Sequence, residues 1–154
     1  NLTFSPEFLR AETALEDFKN TKHFMMGGDN VGLWSGVYIK AMGNISISNA
    51  SVAELILTKY ARNSFLALKV AYFNELYDLC DQLEVDFETV RQYTIQDERI
   101  GESHTMVTDD RGFGGHCFPK DTKAFATLGK HCGTPLTILE QAIQYNIQIR
   151  KDNV

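Results

Sequence analysis

The run Arg111-Gly112-Phe113-Gly114-Gly115-His116-Cys117-Phe118-Pro119-Lys120-Asp121 sets a cysteine between a glycine-rich turn and a proline suited to the first turn of a helix. Glycines admit positive φ and let a ligand approach the backbone. A helix start offers unpaired N–H groups and the positive end of a dipole, and both stabilise a thiolate. Lys120 adds a positive charge. Asp121 follows Cys117 by four residues, one helical turn if the helix begins at the cysteine. The set suits a nucleophile beside a polar group and a ligand-sized gap. It suits equally a glycine-rich loop over a buried, inert thiol.

Other residues add to this chemistry. Lys59 and Asn63 stand four apart in a helical stretch and share a face. An amine and an amide there can stabilise the oxyanion formed when a thiolate attacks a carbonyl. The alternative is a snorkelling lysine and an asparagine that satisfies backbone. Glu7, in Ser5-Pro6-Glu7-Phe8-Leu9-Arg10, reads as a general base or as a solvated carboxylate near a helix start. Arg99, in Asp97-Glu98-Arg99-Ile100-Gly101, reads as a phosphate or carboxylate clamp or as half of a surface ion pair. His116 adjoins Cys117, too close in sequence for a good Cys–His pair, and reads as loop structure. The four histidines form no close-spaced pair, and Cys80, Cys117 and Cys132 lack zinc spacing, so no metal site is expected.

The elements that must position these residues fall in two parts. Residues 22–26 read as a strand ending at Gly27-Gly28, Val31 to Met42 as a helix capped by Asp29 or Asn30, and 45–47 as a second strand. This is a strand-helix-strand piece, like the edge of a larger α/β sheet. Ser51 and Glu54 then form a capping box, and no Gly or Pro occurs from Ser51 to Ile100. A helix is predicted over 51–83, apolar on more than one face and hence buried within the domain or in a dimer. Asp86 caps a helix over 87–96, residues 97–118 form one long loop of the functional kind, Pro119 to His131 is helical, and Thr134-Pro135 opens the last helix.

The chain has 154 residues, 44% of them hydrophobic, enough for one sizeable core. A net charge of −5 argues against a broad nucleic-acid surface, and no window approaches the about 20 apolar residues of a membrane span. Three cysteines cannot all pair within one chain, so a reducing cytoplasm is the simplest setting. The start, Asn1-Leu2-Thr3-Phe4, has no leader character and looks like the inside of a longer protein.

In order along the chain, five segments resemble the UDP-glucose/GDP-mannose dehydrogenase family. Pro6-Glu7-Phe8-Leu9-Arg10 is similar to its PEFLRE segment, and residues 59–70 to its KYxxNxFLAxK helix. Asn74-Glu75, Asp97-Glu98-Arg99-Ile100-Gly101 and the cysteine motif over 112–121 complete the set. The resemblance implies a mainly α fold: residues 49–154 as a helical central domain that homodimerises through the long helix 51–83, after a short α/β remnant, 1–48, of a Rossmann-type NAD-binding domain. It implies oxidation of a nucleotide sugar's C6 alcohol to a carboxylate with two NAD⁺. Cys117 forms a thiohemiacetal and then a thioester, Lys59 and Asn63 steady the oxyanion, Asp121 assists proton transfer or orients water, and Glu7 is the base for hydrolysis. Substrate contacts are implied for Phe8, Leu9, Arg10, Thr108, Gly112, Phe113, Gly114 and Gly115, with Arg99 reaching the neighbouring subunit's site, and a weak cofactor contact for Lys120.

UDP-glucose is the favoured substrate, because Phe118-Pro119-Lys120-Asp121 resembles that branch; Gly-Gly-His-Cys resembles the N-acetylhexosamine branch. Three departures stand out. Ala11 occupies the position of a family acid, with Glu12 displaced by one. Glu54 to Lys59 is two residues longer than usual. No Gly-x-Gly-x-x-Gly follows a strand, so the chain alone is expected to transfer no hydride. The rival expectation is a non-catalytic helical module that dimerises or binds a nucleotide sugar.

Overall fold

The computed structural model describes residues 2–10 and 13–151; Ala11 and Glu12, with the displaced acid, lie outside the described residues. The chain divides into two compact units, one up to Lys59 and one from Tyr60.

In the first unit, β1 (Thr3–Phe4) pairs antiparallel with β2 (His23–Gly28), Thr3 opposite Gly28. β3 (Ser46–Asn49) lies parallel on the other side of β2, His23 opposite Ser46 and Met26 opposite Asn49. α1 (Ala14–Asn20) precedes β2, and α2 (Val31–Met42) makes the crossover to β3. The expected strand-helix-strand piece is therefore present. Its second strand starts one residue late, because the Ile45 N–H turns back to the Gly43 carbonyl at 2.9 Å. Phe24 and Met26 face inward, and Phe24 packs edge-on against Phe18 and Tyr38 at 5.8 and 5.0 Å. Asn30 holds the cap position of α2 but makes no side-chain cap bond; Asp29 instead accepts from the Leu2 N–H at 3.2 Å.

α3 (Val52–Gln82) starts at the expected capping box. The Glu54 N–H donates to Ser51 Oγ at 3.2 Å, and the Ser51 N–H donates to Glu54 Oε2 at 2.8 Å. With 31 residues it runs about 46 Å. One stripe of α3, Leu57, Ala61, Phe65, Leu68, Tyr72, Leu76 and Leu79, recurs at helical spacing, and Phe65 (68%), Tyr72 (59%) and Leu79 (54%) stay open on this chain. The opposite face carries the second unit's core: Ala67, Ala71 and Phe113, enclosed by Val70, Phe118, Ala142, Ile143 and Tyr145.

α4 (Phe87–Ile95) is capped as expected, Asp86 accepting from the Thr89 N–H at 2.7 Å. α5 (Cys117–His131) begins two residues before the proline that was expected to open it. Proline suits the whole first turn, since none of those N–H groups has an intrahelical acceptor. α6 (Thr137–Ile149) begins two residues later than expected. The Thr134 N–H closes the end of α5 by donating to the Gly129 carbonyl at 2.9 Å, and Leu136 covers Gly129 so tightly that a Cβ there would lie 2.9 Å from its Cγ. No helix among the described residues is long and apolar enough to cross a membrane.

Candidate active site

Because α5 starts at Cys117, the cysteine is its first residue and Asp121 stands one turn on. Cys117 is exposed, so the buried-thiol alternative fails. His116, the cap residue, makes no side-chain cap bond. Asp121 is fully buried, and both its oxygens are engaged: Asn63 Nδ2 donates to Oδ2 at 2.6 Å and Lys120 Nζ to Oδ1 at 2.5 Å. The hydrogen bond to Asp121, more than the nearby charges of Asp121, Cys117 and Tyr60, holds the Lys120 ammonium above its ordinary range. A buried carboxylate thus orients one amide and one ammonium beside the thiol. An amide nitrogen carries two N–H groups, so Asn63 keeps one for a ligand.

The loop over 96–116 is tied down at four places. Lys69 Nζ donates to the carbonyls of Ile100 and Gly101 at 2.7 and 2.8 Å, and burial pushes its ammonium down. Arg91, 2% exposed, forks onto Glu88 at 2.6 and 2.8 Å and donates to the buried Thr105 hydroxyl at 2.9 Å. His104, at φ 64°, lays its ring 5.5 Å from Phe118, and burial first, then Lys69, pushes its imidazole down. Past Asp110 the chain is gripped by α3 and α6. Arg111 donates to Asn74 Oδ1 at 2.9 Å and Asp78 Oδ1 at 2.5 Å, with its guanidinium 4.9 Å from the Tyr77 ring centre, and Tyr145 donates to Asp78 Oδ2 at 2.7 Å.

The Arg91 tie is expected to weaken in acid. Hydrogen bonds from Arg91, then Gln92, hold the Glu88 carboxyl down at about 2 against an ordinary 4.5. A lowered carboxyl value means the stabilisation is complete above 4.5 and is lost as pH falls through about 2. Hydrogen exchange at the Thr105 amide, corrected for the intrinsic rate, is expected to accelerate across that window while mid-α3 amides stay protected. A flat Thr105 profile would contradict this.

The remaining expected site residues have plainer surroundings. Arg10 is forked onto Asp17 at 2.6 and 3.0 Å, and Arg99 onto Asp97 at 2.5 to 3.1 Å, so both guanidinium groups are held by local carboxylates. Glu7 is exposed, Phe8, Leu9 and Lys59 are half-buried, and the exposed Thr108 closes a turn to the Arg111 N–H at 2.9 Å. Phe113 is a core residue, 3% exposed, rather than a wall open to a ligand. Lys120 holds Asp121 instead of pointing free to a cofactor. Sequence reasoning missed Arg91 and Asn146 and assigned no role to Asn74; the Glu88–Arg91 spacing is a local signal for the first, whereas the loop partners of the two asparagines lie far along the chain.

The strand-to-helix turn after β2 does not fit a dinucleotide pyrophosphate. A Cβ on Gly27 would lie 2.2 Å from the Ala50 carbonyl oxygen, and one on Gly28 2.1 Å from that of Leu2. Those spaces are filled by the chain's own backbone, leaving no cradle for a phosphate.

The pattern that defines the UDP-glucose/GDP-mannose dehydrogenase family, central domain, matches residues 51–148. The chain is 35% identical over 160 residues to UDP-glucose 6-dehydrogenase of Rickettsia typhi, covering 100% of this chain and 36% of that protein. It is 32% identical over 145 residues to UDP-glucose 6-dehydrogenase TuaD of Bacillus subtilis, covering 92% and 31%. A UDP-glucose dehydrogenase from the hyperthermophilic archaeon Pyrobaculum islandicum superposes with a TM-score of 0.84 at 35% identity, covering 95% of this chain and 34% of that one. The chain thus spans about a third of the length of the relatives it matches.

Proposed function

This chain belongs to the UDP-glucose/GDP-mannose dehydrogenase family, and from that premise we propose that it carries the thiol half of an enzyme oxidising the C6 alcohol of UDP-glucose to a carboxylate. The observation that carries the reading is the exposed Cys117 at the first position of α5, one turn before a buried Asp121 held by Asn63 and Lys120. Oxidation of the C6 alcohol to the aldehyde would pass one hydride to a first NAD⁺, the acceptor the family resemblance implies, and one proton to solvent. The Cys117 thiolate then attacks that aldehyde, a C–S bond forms as the C=O π bond opens, and the carbonyl oxygen becomes an oxyanion. The second N–H of Asn63 donates to that oxyanion, with Lys59, one turn earlier on α3, as the cationic partner. Asp121 keeps Asn63 and Lys120 aimed. Oxidation of the thiohemiacetal to the thioester would pass a second hydride to NAD⁺, and the turn after β2 offers no cradle for that cofactor. Water then hydrolyses the thioester, releasing the sugar carboxylate and the Cys117 thiolate; Glu7 is the base that the family resemblance implies for this step.

Residues 49–154 form the central domain in this reading and 1–48 the end of the cofactor domain. The open apolar stripe of α3 is the homodimer seam, since a stripe so exposed on a soluble helix calls for a partner. A reducing, cytoplasmic setting fits three thiols with no disulfide among them.

Alkylation tests the reading within one helix. Cys117 sits at the N-terminal, positive end of α5 and Cys132 at its C-cap, the negative end; both are exposed, while Cys80 is buried. Each helix end shifts a charge by about 0.3–1 kcal/mol, so Cys117 should label about tenfold faster than Cys132, with Cys80 slowest. UDP-glucose should slow labelling at Cys117 alone. Equal rates at Cys117 and Cys132, unaffected by UDP-glucose, would overturn the reading and leave a helical module.

A further inference from the structure

The resemblance implies that the loop from Thr108 to Gly114 binds substrate through its backbone, yet much of the backbone over 111–113 is already in use. The Gly112 N–H donates to Asn74 Oδ1 at 3.0 Å. The Phe113 N–H donates to Asn146 Oδ1 at 2.6 Å, and Asn146 Nδ2 donates back to the Phe113 carbonyl at 2.9 Å. The Arg111 carbonyl accepts from Arg150 at 3.2 Å. Asn146 therefore holds the Phe113 peptide at both ends, as a paired strand would.

The Asn74 carboxamide is fixed by its own helix before it meets the loop. Asn74 is 1% exposed, and its Nδ2 donates to the Val70 carbonyl of its own helix at 2.9 Å. Its oxygen must then face outward, where it accepts from both Arg111 Nε and the Gly112 N–H. Asn146 is 7% exposed on α6. Gly112 adopts φ 56°, and a Cβ there would lie 2.2 Å from Asn146 Oδ1, so the glycine and the carboxamide require each other. The amide sets a donor nitrogen beside an acceptor oxygen, matching the Phe113 carbonyl and N–H together; aspartate would set an oxygen against the Phe113 carbonyl oxygen, and leucine would leave both peptide groups unpaired.

Downstream, Gly114, Gly115 and His116 lead straight into Cys117, and Gly115 at φ 73° has open space where a Cβ would stand. We propose that Asn74 and Asn146 are positioning residues for the nucleophile loop: they fix residues 111–113 as an anchored half, Gly114 lies against the Arg150 guanidinium, and the open half from Gly115 to Cys117 is presented to the sugar nucleotide in one conformation. The proposal rests on the dehydrogenase reading for its ligand but not for its loop geometry.

The test compares the wild-type chain with Asn146→Asp and, acting from the loop side without touching α6, Gly112→Ala. Circular dichroism checks the helices. Hydrogen exchange reads the amides of 112–115, and iodoacetamide labelling reads Cys117 against Cys132, with UDP-glucose titrated as protectant. Both variants should keep the helices and the Cys132 rate, accelerate exchange at 112–115 by about tenfold or more, and raise the UDP-glucose concentration that half-protects Cys117 by a similar factor. Folded variants with wild-type exchange at 112–115 overturn the proposal. So do variants that loosen the loop but leave half-protection unchanged. If the wild-type chain shows no protection at all, the dehydrogenase reading fails instead, and the exchange data alone decide whether the two asparagines hold the loop. Should Asn146→Asp not fold, Gly112→Ala carries the same comparison.

Discussion

Cys117→Ser is expected to leave the fold intact and to lower sugar-acid formation by at least about 10³-fold. The side chain is exposed, so loss of its sulfur removes little packing, and the change in stability should stay within about 0.5 kcal/mol. A serine hydroxyl at the same helix start is not ionised near neutral pH, so the dipole and Lys120 have no anion to stabilise, and no thioester can form. The measurement is product analysis on the enzyme carrying the substitution, with sugar acid and sugar aldehyde quantified separately. Acid formation within tenfold of wild type would remove Cys117 from the chemistry.

Asp121→Ala is expected to act on stability and activity together. Asp121 is fully buried, whereas the side chain of its partner Lys120 is 55% exposed. Removing the carboxylate lets the ammonium return to water but leaves the Asn63 amide without its acceptor. The cost should be about 2 kcal/mol, below that of stranding a buried charge. Activity should fall about 10²-fold or more, because the amide aimed at the oxyanion loses its support. Asp121→Asn, the same size but neutral, should recover roughly half of the stability and little of the activity. Denaturant unfolding with an unchanged m-value, set beside turnover, separates the two. Full activity in Asp121→Ala would place the oxyanion chemistry elsewhere.

What could be read from the sequence follows the range of each interaction. The Ser51–Glu54 box and the Asp86 cap act over three residues, and both stand where the sequence places them. Cys117 and Asp121 share a face of α5 through i,i+4 geometry, also legible in advance. The start of α5 was misplaced because proline marks a first turn without saying which position in it. Arg99 read as a phosphate or carboxylate clamp or as half of a surface ion pair, and Asp97, two residues away, holds it; Arg10, a substrate contact implied only by resemblance, is held by Asp17, seven residues away. Arg91 reads as a surface residue in a polar helix, and its burial comes from Thr105, 14 residues on. The hold of Asn74 and Asn146 on the loop spans 38 and 33 residues, a distance over which no local pattern speaks.

Those same separations set the order in which the molecule comes together. Helices α3 to α6 close bonds four residues apart and can form within microseconds. The site closes over far longer spans: 58 residues between Asn63 and Asp121, and 67 between Asp78 and Tyr145. Contacts of that span form late on the way to the native state, after much of the chain's freedom is already lost. On warming, the loop is the first part to come undone. Catalysis is therefore expected to fade several degrees below the temperature at which the helices melt, and on refolding it should return after the helical signal does.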